Sequence, residues 1–157
     1  MAKEIERKFL VDNNKWNKTG NQFKMQQAYL LIENDKVIRV RIANNKAFLT
    51  IKGNLQGITR DEFEYEIPLD DARSLLLMRV GAVVSKTRYI ETINGKVWET
   101  DVFEGENQGL VVAEIELNTE NEQFIKPDWA TDEVSTDVRY YNFNLSQNPF
   151  SGWNKSN

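Results

Sequence analysis

The sequence has 157 residues, 40% of them hydrophobic, and a formal net charge of −4. This length predicts one domain over 1–157 that buries a core without disulfides. The acidic balance argues against nucleic-acid partners, and the lack of cysteine and histidine excludes thiolate and histidine nucleophiles and zinc sites with nitrogen or sulfur ligands. No apolar run approaches the roughly 20 residues that cross a bilayer, so we expect no membrane partner and a cytoplasmic location.

Alternation of apolar and polar residues predicts eight β-strands. They are 3–10, 25–32, 36–42, 46–52, 60–67, 84–91, 96–103 and 110–117. Tight-turn dipeptides after the second, third and sixth strands predict antiparallel hairpins. These dipeptides are Asn34-Asp35, Asn44-Asn45 and Asn94-Gly95. A longer loop is expected over 53–57.

Short helices are predicted between the strands. The first lies near 12–18, and the second covers 70–80 and ends at Gly81. A third begins near 120, where Thr119 and Glu122 have capping-box spacing, and stops before Pro127. A last helix is expected near 137–146, and the final ten residues are expected to be loosely held.

Charged residues occupy one face of seven predicted strands, and their sign is sorted by strand. Acidic residues dominate strands 1, 5, 7 and 8, and basic residues dominate strands 3, 4 and 6. A sheet with one solvated face is one interpretation. If the strands instead close into a barrel with this face inward, the lumen holds roughly a dozen charges. Buried charge without compensation costs several kcal/mol per group, so a small, highly charged anion with its cation is the predicted ligand.

Seven charged motifs occur in chain order. They are EIERK with Glu4, Glu6 and Lys8, VIRVRI with Arg39 and Arg41, LTIKG with Lys52, DEFEYEI with Glu62 and Glu64, SKTRY with Lys86 and Arg88, WETDVF with Asp101, and AEIEL with Glu114 and Glu116. Together they resemble the motifs of the CYTH or triphosphate tunnel metalloenzyme superfamily, over about residues 2–142. The first motif and the short length most resemble the small bacterial inorganic triphosphatase branch. One departure lies near the C-terminus, where Phe143 and Asn144 follow Asn142 and related chains often place a lysine.

The resemblance implies a mainly β fold, in which an eight-stranded antiparallel barrel with a few short flanking helices forms a tunnel. It implies six basic residues that bind the triphosphate: Lys8, Arg39, Arg41, Lys52, Lys86 and Arg88. It implies seven carboxylates that hold Mg²⁺ or Mn²⁺: Glu4, Glu6, Glu62, Glu64, Asp101, Glu114 and Glu116. Among these residues, the expected catalytic ones are Glu4, Glu6, Lys8 and Lys86.

The implied function is metal-dependent hydrolysis of the terminal phosphate of inorganic tripolyphosphate or a related triphosphate. A class IV adenylate cyclase, a thiamine triphosphatase and a non-catalytic triphosphate-binding module stay open as alternatives. A homodimer also stays open.

Several residues outside the motifs carry their own predictions. Trp16, Trp98 and Trp129 are expected in the core, and the run from Leu75 to Met78 is expected to pack on the barrel exterior. Gln27 and Tyr29 are candidates for the lumen.

Overall fold

The computed structural model describes residues 3–34 and 36–153, and its central feature is a closed barrel of eight antiparallel strands. The strands are β1 (Lys3–Val11), β2 (Asn21–Glu33), β3 (Lys36–Ala43), β4 (Lys46–Gln56), β5 (Thr59–Ile67), β6 (Val80–Ile93), β7 (Lys96–Phe103) and β8 (Val111–Glu116). They pair in the order β5-β4-β3-β2-β6-β7-β8-β1, and β1 also pairs with β5. The predicted barrel is confirmed.

A ninth strand, β9 (Ala130–Glu133), was not predicted. It pairs with the C-terminal part of β1 at Phe9 and Val11, whereas β5 pairs with the first residues of β1. A strand has two edges and β8 runs along one of them, so β5 and β9 share the other. Because ATDE is short and does not alternate between apolar and polar residues, it does not predict a strand.

The predicted antiparallel hairpins β2–β3, β3–β4 and β6–β7 are confirmed. Asn44 and Asn94 have positive φ angles of 56° and 52°, as tight hairpin turns require. Asp35 lies outside the described residues. The loop predicted over 53–57 is wrong, because β4 continues to Gln56 through an irregularity that begins at Gly53.

The helix predictions hold only in part. Helix α1 (Leu69–Leu76) begins one residue before the predicted 70–80 segment and ends well before Gly81, and α2 (Asn142–Gln147) replaces the C-terminal half of 137–146. The segments near 12–18 and after 120 contain turns and irregular chain instead of helices. Glu122 Oε1 accepts a hydrogen bond from Asn118 N at 2.6 Å, so its side chain stabilises a turn. Helices as short as the two predicted for these segments have marginal stability unless an apolar face packs against the rest of the protein.

Apolar side chains pack mainly on the outside of the barrel. One cluster contains Phe9, Trp98 and Ile115, with Trp129 against it, and Trp16 is also buried, which confirms the core placement of the tryptophans. Helix α1 covers a second cluster on the outer face. Its neighbours Leu77 and Met78 are 81% and 68% exposed, so the packing prediction for 75–78 is wrong at those two positions.

A third cluster, which we call the apolar plug, fills one end of the barrel. It comprises the buried residues Val84, Phe103, Leu110, Val112 and Leu145, with the partly buried Leu10 against them. Its four strand residues each lie two positions from a charged residue, so they share that residue's inward face. Leu145 comes from α2, which packs against β6 and β2. The lumen is therefore polar along its middle and apolar where α2 seals it.

The C-terminal segment extends this plug. Phe150 and Trp153 pack against it, and Trp153 Nε1 donates to Asn148 O at 2.9 Å. The described part of the last ten residues is therefore packed on the barrel, in contrast to the expectation of a loose end, and 154–157 lie outside the described residues. In the described part of the chain, no helix is long and apolar enough to cross a membrane.

Gly81 allows α2 to approach β6, which gives a first prediction. Its φ is +73°, and a Cβ atom there would lie 2.7 Å from Ser146 O. Gly95 has a similar φ of +77° with open space around it. Gly95→Ala should cost about 1–2 kcal/mol of unfolding free energy from backbone strain, and Gly81→Ala should cost clearly more. Urea unfolding of both variants measures this, and equal losses would contradict the close-approach explanation.

Candidate active site

The barrel encloses a cavity of about 190 Å³ that is lined mainly by charged side chains. Seven are cations: Lys8, Arg39, Arg41, Lys52, Arg60, Lys86 and Arg88. Seven are carboxylates: Glu4, Glu6, Glu62, Glu64, Glu99, Glu114 and Glu116. Twelve of the predicted site residues are thus brought together, whereas Asp101 is not among the lining residues. Arg60 and Glu99 also line the cavity, although neither was assigned a role from the sequence. Arg60 lies two positions from Glu62 on β5, and Glu99 lies two positions from Asp101 on β7.

The strand order places all lining carboxylates on one side of the lumen and most lining cations on the other. Strands β7, β8, β1 and β5 are neighbours and supply every lining carboxylate; we call them the acidic arc. Strands β4, β3, β2 and β6 are neighbours and form the basic arc. Lys8 and Arg60 are the two lining cations on the acidic arc. A ligand in this cavity therefore meets positive charge on one side and carboxylates on the other.

Asp101 stabilises two cations of the basic arc from behind. Its oxygens accept hydrogen bonds from Arg88 Nε and Nη2 at 2.8 and 2.9 Å, and Lys86 Nζ lies 2.8 Å away. Burial by itself would raise the pKa of Asp101, but Arg88 and Lys86 outweigh burial and lower it. Both carboxylate oxygens are occupied, so Asp101 has the position of a buried counter-ion to the basic arc.

Two lining basic side chains, Lys86 and Arg41, have a lowered pKa. Burial lowers the pKa of Lys86 to about 7, although Asp101 opposes the shift. Burial, together with Arg39 and Arg88, lowers the pKa of Arg41 to about 9. The protonated form is therefore destabilised at both positions, and an anion in the lumen would stabilise it.

Arg41 differs from the other lining cations in its partners. Each of the other six has a carboxylate within 4 Å. In the described residues, Arg41 makes no ion pair and its Nε donates to Gln27 Oε1 at 2.8 Å. Its charge is the least compensated in the basic arc, which makes it a natural binding group for an incoming anion.

The acidic arc brings carboxyl groups into contact with one another. Burial, then Glu114 and Glu4, raises the pKa of Glu6 well above its usual value. Burial would also raise the pKa of Glu114, but Lys8 and a hydrogen bond from Glu6 hold it well below the usual range. Lys52 Nζ lies 3.0 Å from Glu4 and 3.1 Å from Glu62. A contact between two carboxyl groups, such as that of Glu6 with Glu114, needs a shared proton or a cation to be stable.

The C-terminal segment completes the lining with residues that motif analysis left unassigned. Tyr141, Asn142 and Phe143 all line the cavity. The Tyr141 ring centroid lies 5.3 Å from Lys8 Nζ and 5.4 Å from Arg60 Cζ, so the ring faces both cations of the acidic arc. Tyr29 also lines the cavity, whereas Gln27 is buried behind the lining.

Metal binding would require the carboxylates to change partners. Among residues 3–34 and 36–153, no group of three or more acidic side chains is arranged to hold a metal ion. Several carboxylates instead contact lysine or arginine, as Glu4 contacts Lys52. Oxygen ligands of this kind suit hard divalent cations, and the contacts of Glu6 with Glu114 and Glu4 with Glu62 are places where a cation would replace a shared proton.

Comparison with known proteins identifies relatives along nearly the whole chain. The model of the CYTH domain matches residues 2–146. An inorganic triphosphatase of Acetivibrio thermocellus is 45% identical over 98% of this chain and 99% of its own length. One from Nitrosomonas europaea is 34% identical over 88% of this chain and 93% of its own. The crystal structure of the inorganic triphosphatase NE1496 is similar with a TM-score of 0.68 and 32% identity, covering 93% of this chain and 95% of that chain.

The contrast between Arg88 and Arg41 gives a second prediction. Arg88→Ala would remove a buried partner from both Asp101 and Glu114 and leave each with one lysine, and it should cost about 3–5 kcal/mol of unfolding free energy. Arg41→Ala removes a cation that has no carboxylate partner, so the ligand-free protein should lose no more than about 1 kcal/mol, the usual size of one hydrogen bond. Chemical denaturation without added anions compares them. An Arg41→Ala loss as large as that of Arg88→Ala would show that Arg41 is needed for folding.

Proposed function

The chain belongs to the CYTH domain family, and we propose that it uses a divalent metal ion to release the terminal phosphate of inorganic tripolyphosphate. The observation that carries the proposal is the cavity with a basic arc on one side and an acidic arc on the other. A triphosphate with its cation has the complementary distribution of charge: its negative phosphates match the basic arc, and its cation matches the acidic arc. The names of the two inorganic triphosphatases that resemble the chain support this substrate.

In this proposal the lining cations bind the phosphate chain, five of them from the basic arc together with Lys8 and Arg60 from the acidic arc. The residues are the six from the motifs, Lys8, Arg39, Arg41, Lys52, Lys86 and Arg88. Arg60 joins them because it lines the same cavity. Guanidinium groups bind phosphate oxygens through two donors, and lysine acts as a point charge. The lining cations would neutralise charge on the non-bridging oxygens as the terminal group is transferred.

The acidic arc would hold the metal ion, with Glu4, Glu6, Glu114 and Glu116 as the first candidates and Glu62 and Glu64 beside them. Mg²⁺ or Mn²⁺ suits this set, because both ions prefer oxygen ligands and commonly bridge carboxylates to phosphates. The bound metal supplies Lewis-acid activation of water and substrate. Asp101 was predicted as a ligand, and we now propose that it fixes Lys86 and Arg88, since both of its oxygens bind those cations.

The proposed reaction is one in-line displacement. Glu4 and Glu6 orient the attacking water, Lys8 and Lys86 stabilise the transferring phosphoryl group, and pyrophosphate leaves. The configuration at phosphorus should then invert. Because the apolar plug fills one end of the lumen, a linear phosphate chain enters with one end first, which favours reaction at a terminal phosphate. The cytoplasmic location and a homodimer stay predictions.

The third prediction concerns the metal requirement. Phosphate release from tripolyphosphate should need added Mg²⁺ or Mn²⁺ and should stop in excess chelator, because carboxylates without metal repel the substrate. A colorimetric phosphate assay measures it, with restoration by excess Mg²⁺ as the control. Full turnover in chelator would contradict the proposal. Release of pyrophosphate and a cyclic nucleotide from ATP would indicate the cyclase alternative instead.

The fourth prediction places the catalytic carboxylates. Glu4→Gln and Glu6→Gln should each lower kcat by about two orders of magnitude or more, as expected when a group that holds metal or orients water is lost. Glu66→Gln is the matched control, because Glu66 is exposed on β5 and is not among the lining residues. Steady-state rates at saturating metal test this. If all three variants kept near-normal rates, the metal site would lie elsewhere.

A further inference from the structure

Strand β2 runs through the middle of the basic arc without contributing a lining charge. In place of a cation it supplies Gln27, which is 0% exposed. A buried amide costs free energy unless its donors and acceptor are paired. The partners of Gln27 therefore indicate its role.

Gln27 joins a chain of hydrogen bonds between two cations of the lumen. Arg41 Nε donates to Gln27 Oε1 at 2.8 Å, and Gln27 Nε2 donates to Asn142 Oδ1 at 2.9 Å. Asn142 Oδ1 also accepts from Lys86 Nζ at 2.9 Å. We call these hydrogen bonds the relay. It links Arg41 on β3, Gln27 on β2, Asn142 at the start of α2 and Lys86 on β6.

The two cations fix the orientation of both amides. Arg41 and Lys86 can only donate hydrogen bonds, so Gln27 must present its oxygen to Arg41 and Asn142 must present its oxygen to Lys86. The nitrogen of Gln27 then points to the oxygen of Asn142. Reversing Gln27 would place its nitrogen against the donor of Arg41 and its oxygen against the acceptor of Asn142, so this arrangement has one favourable orientation.

The relay leaves the anion-binding part of Arg41 available. Gln27 binds Nε, and in the described residues neither terminal nitrogen of Arg41 has a carboxylate partner. Resting on the proposed function, we infer that Gln27 is a positioning residue: it holds the Arg41 guanidinium so that its terminal nitrogens face the phosphate chain. Because Asn142 begins α2 and Leu145 lies in the apolar plug, the same relay ties the anion site to the sealed end of the lumen.

A purely structural role for Gln27 makes a different prediction from a positioning role. If the amide only satisfies buried polar groups, its loss should lower stability whether or not Arg41 is present. If it acts through Arg41, its effect on substrate binding should vanish once Arg41 is removed. A double-mutant cycle separates the two because it measures the coupling between the residues.

The experiment measures kcat and KM for tripolyphosphate in Gln27→Met, Arg41→Ala and the double variant. Gln27→Met should raise KM by about tenfold, with kcat within about threefold of wild type, since a binding contact to a charged group is misaligned. In the Arg41→Ala background the same change should raise KM by less than about twofold. Gln26→Met is the matched control, because Gln26 is exposed on the opposite face of β2, and it should leave both constants unchanged.

Melting temperatures establish that each variant is folded. If Gln27→Met does not fold, Gln27→Asn takes its place, since it keeps an amide but withdraws it from Arg41; its KM should also rise, and the rise should also vanish without Arg41. An unchanged KM, or an equal rise with and without Arg41, would overturn the positioning role.

Calorimetric Kd values for tripolyphosphate separate failure of this inference from failure of the proposed function. If wild type binds tripolyphosphate without turnover, the proposed function fails, and the same cycle in Kd decides the role of Gln27. If wild type neither binds nor hydrolyses tripolyphosphate, both are overturned.

Discussion

Compensation of charge across the lumen is the constraint on which the rest of this structure depends. Burying a single ion costs several kcal/mol even after relaxation, yet fourteen charged side chains line one cavity. Most are paired, as Arg88 is with Asp101 and Glu114. Compensation is incomplete at two places: Arg41 has no carboxylate partner among the described residues, and Glu6 is held against other carboxyls. Those two defects have opposite sign, so an anion and a cation bound together would relieve both.

The fold places apolar groups where they do not compete with this lumen. Trp98 and its neighbours stabilise the outer face, α1 covers another part of that face, and the apolar plug seals one end. Because inward positions change from charged to apolar along the same strands, one barrel provides both a dry end and a polar site. The segment that contributes Leu145 to the apolar plug also contributes Tyr141 and Asn142 to the cavity lining, so the same segment seals one end of the lumen and shapes its polar part.

The sequence could predict much of this arrangement because period-2 alternation is a strong signal. It located eight strands and sorted their charges, and the observed register then sets opposite charges across from each other, as at Lys52 and Glu62. Closure into a tunnel came from the resemblance. The position of Asp101 behind the basic arc, the β1–β9 pairing and the Gln27 relay depend on contacts between residues far apart in the chain, which alternation does not encode. Arg60 could have been found, since it continues the face of Glu62 on β5.

In the proposed complex, triphosphate and metal lie against opposite arcs of one lumen. Anomalous diffraction from crystals grown with tripolyphosphate and Mn²⁺ locates both, with a slowly reacting variant such as Glu6→Gln if the substrate is consumed. We expect a manganese peak among the carboxylates of β1 and β8 and phosphate density against Arg39, Arg41 and Arg88. Phosphate density outside the barrel, or manganese bound away from the acidic arc, would contradict it.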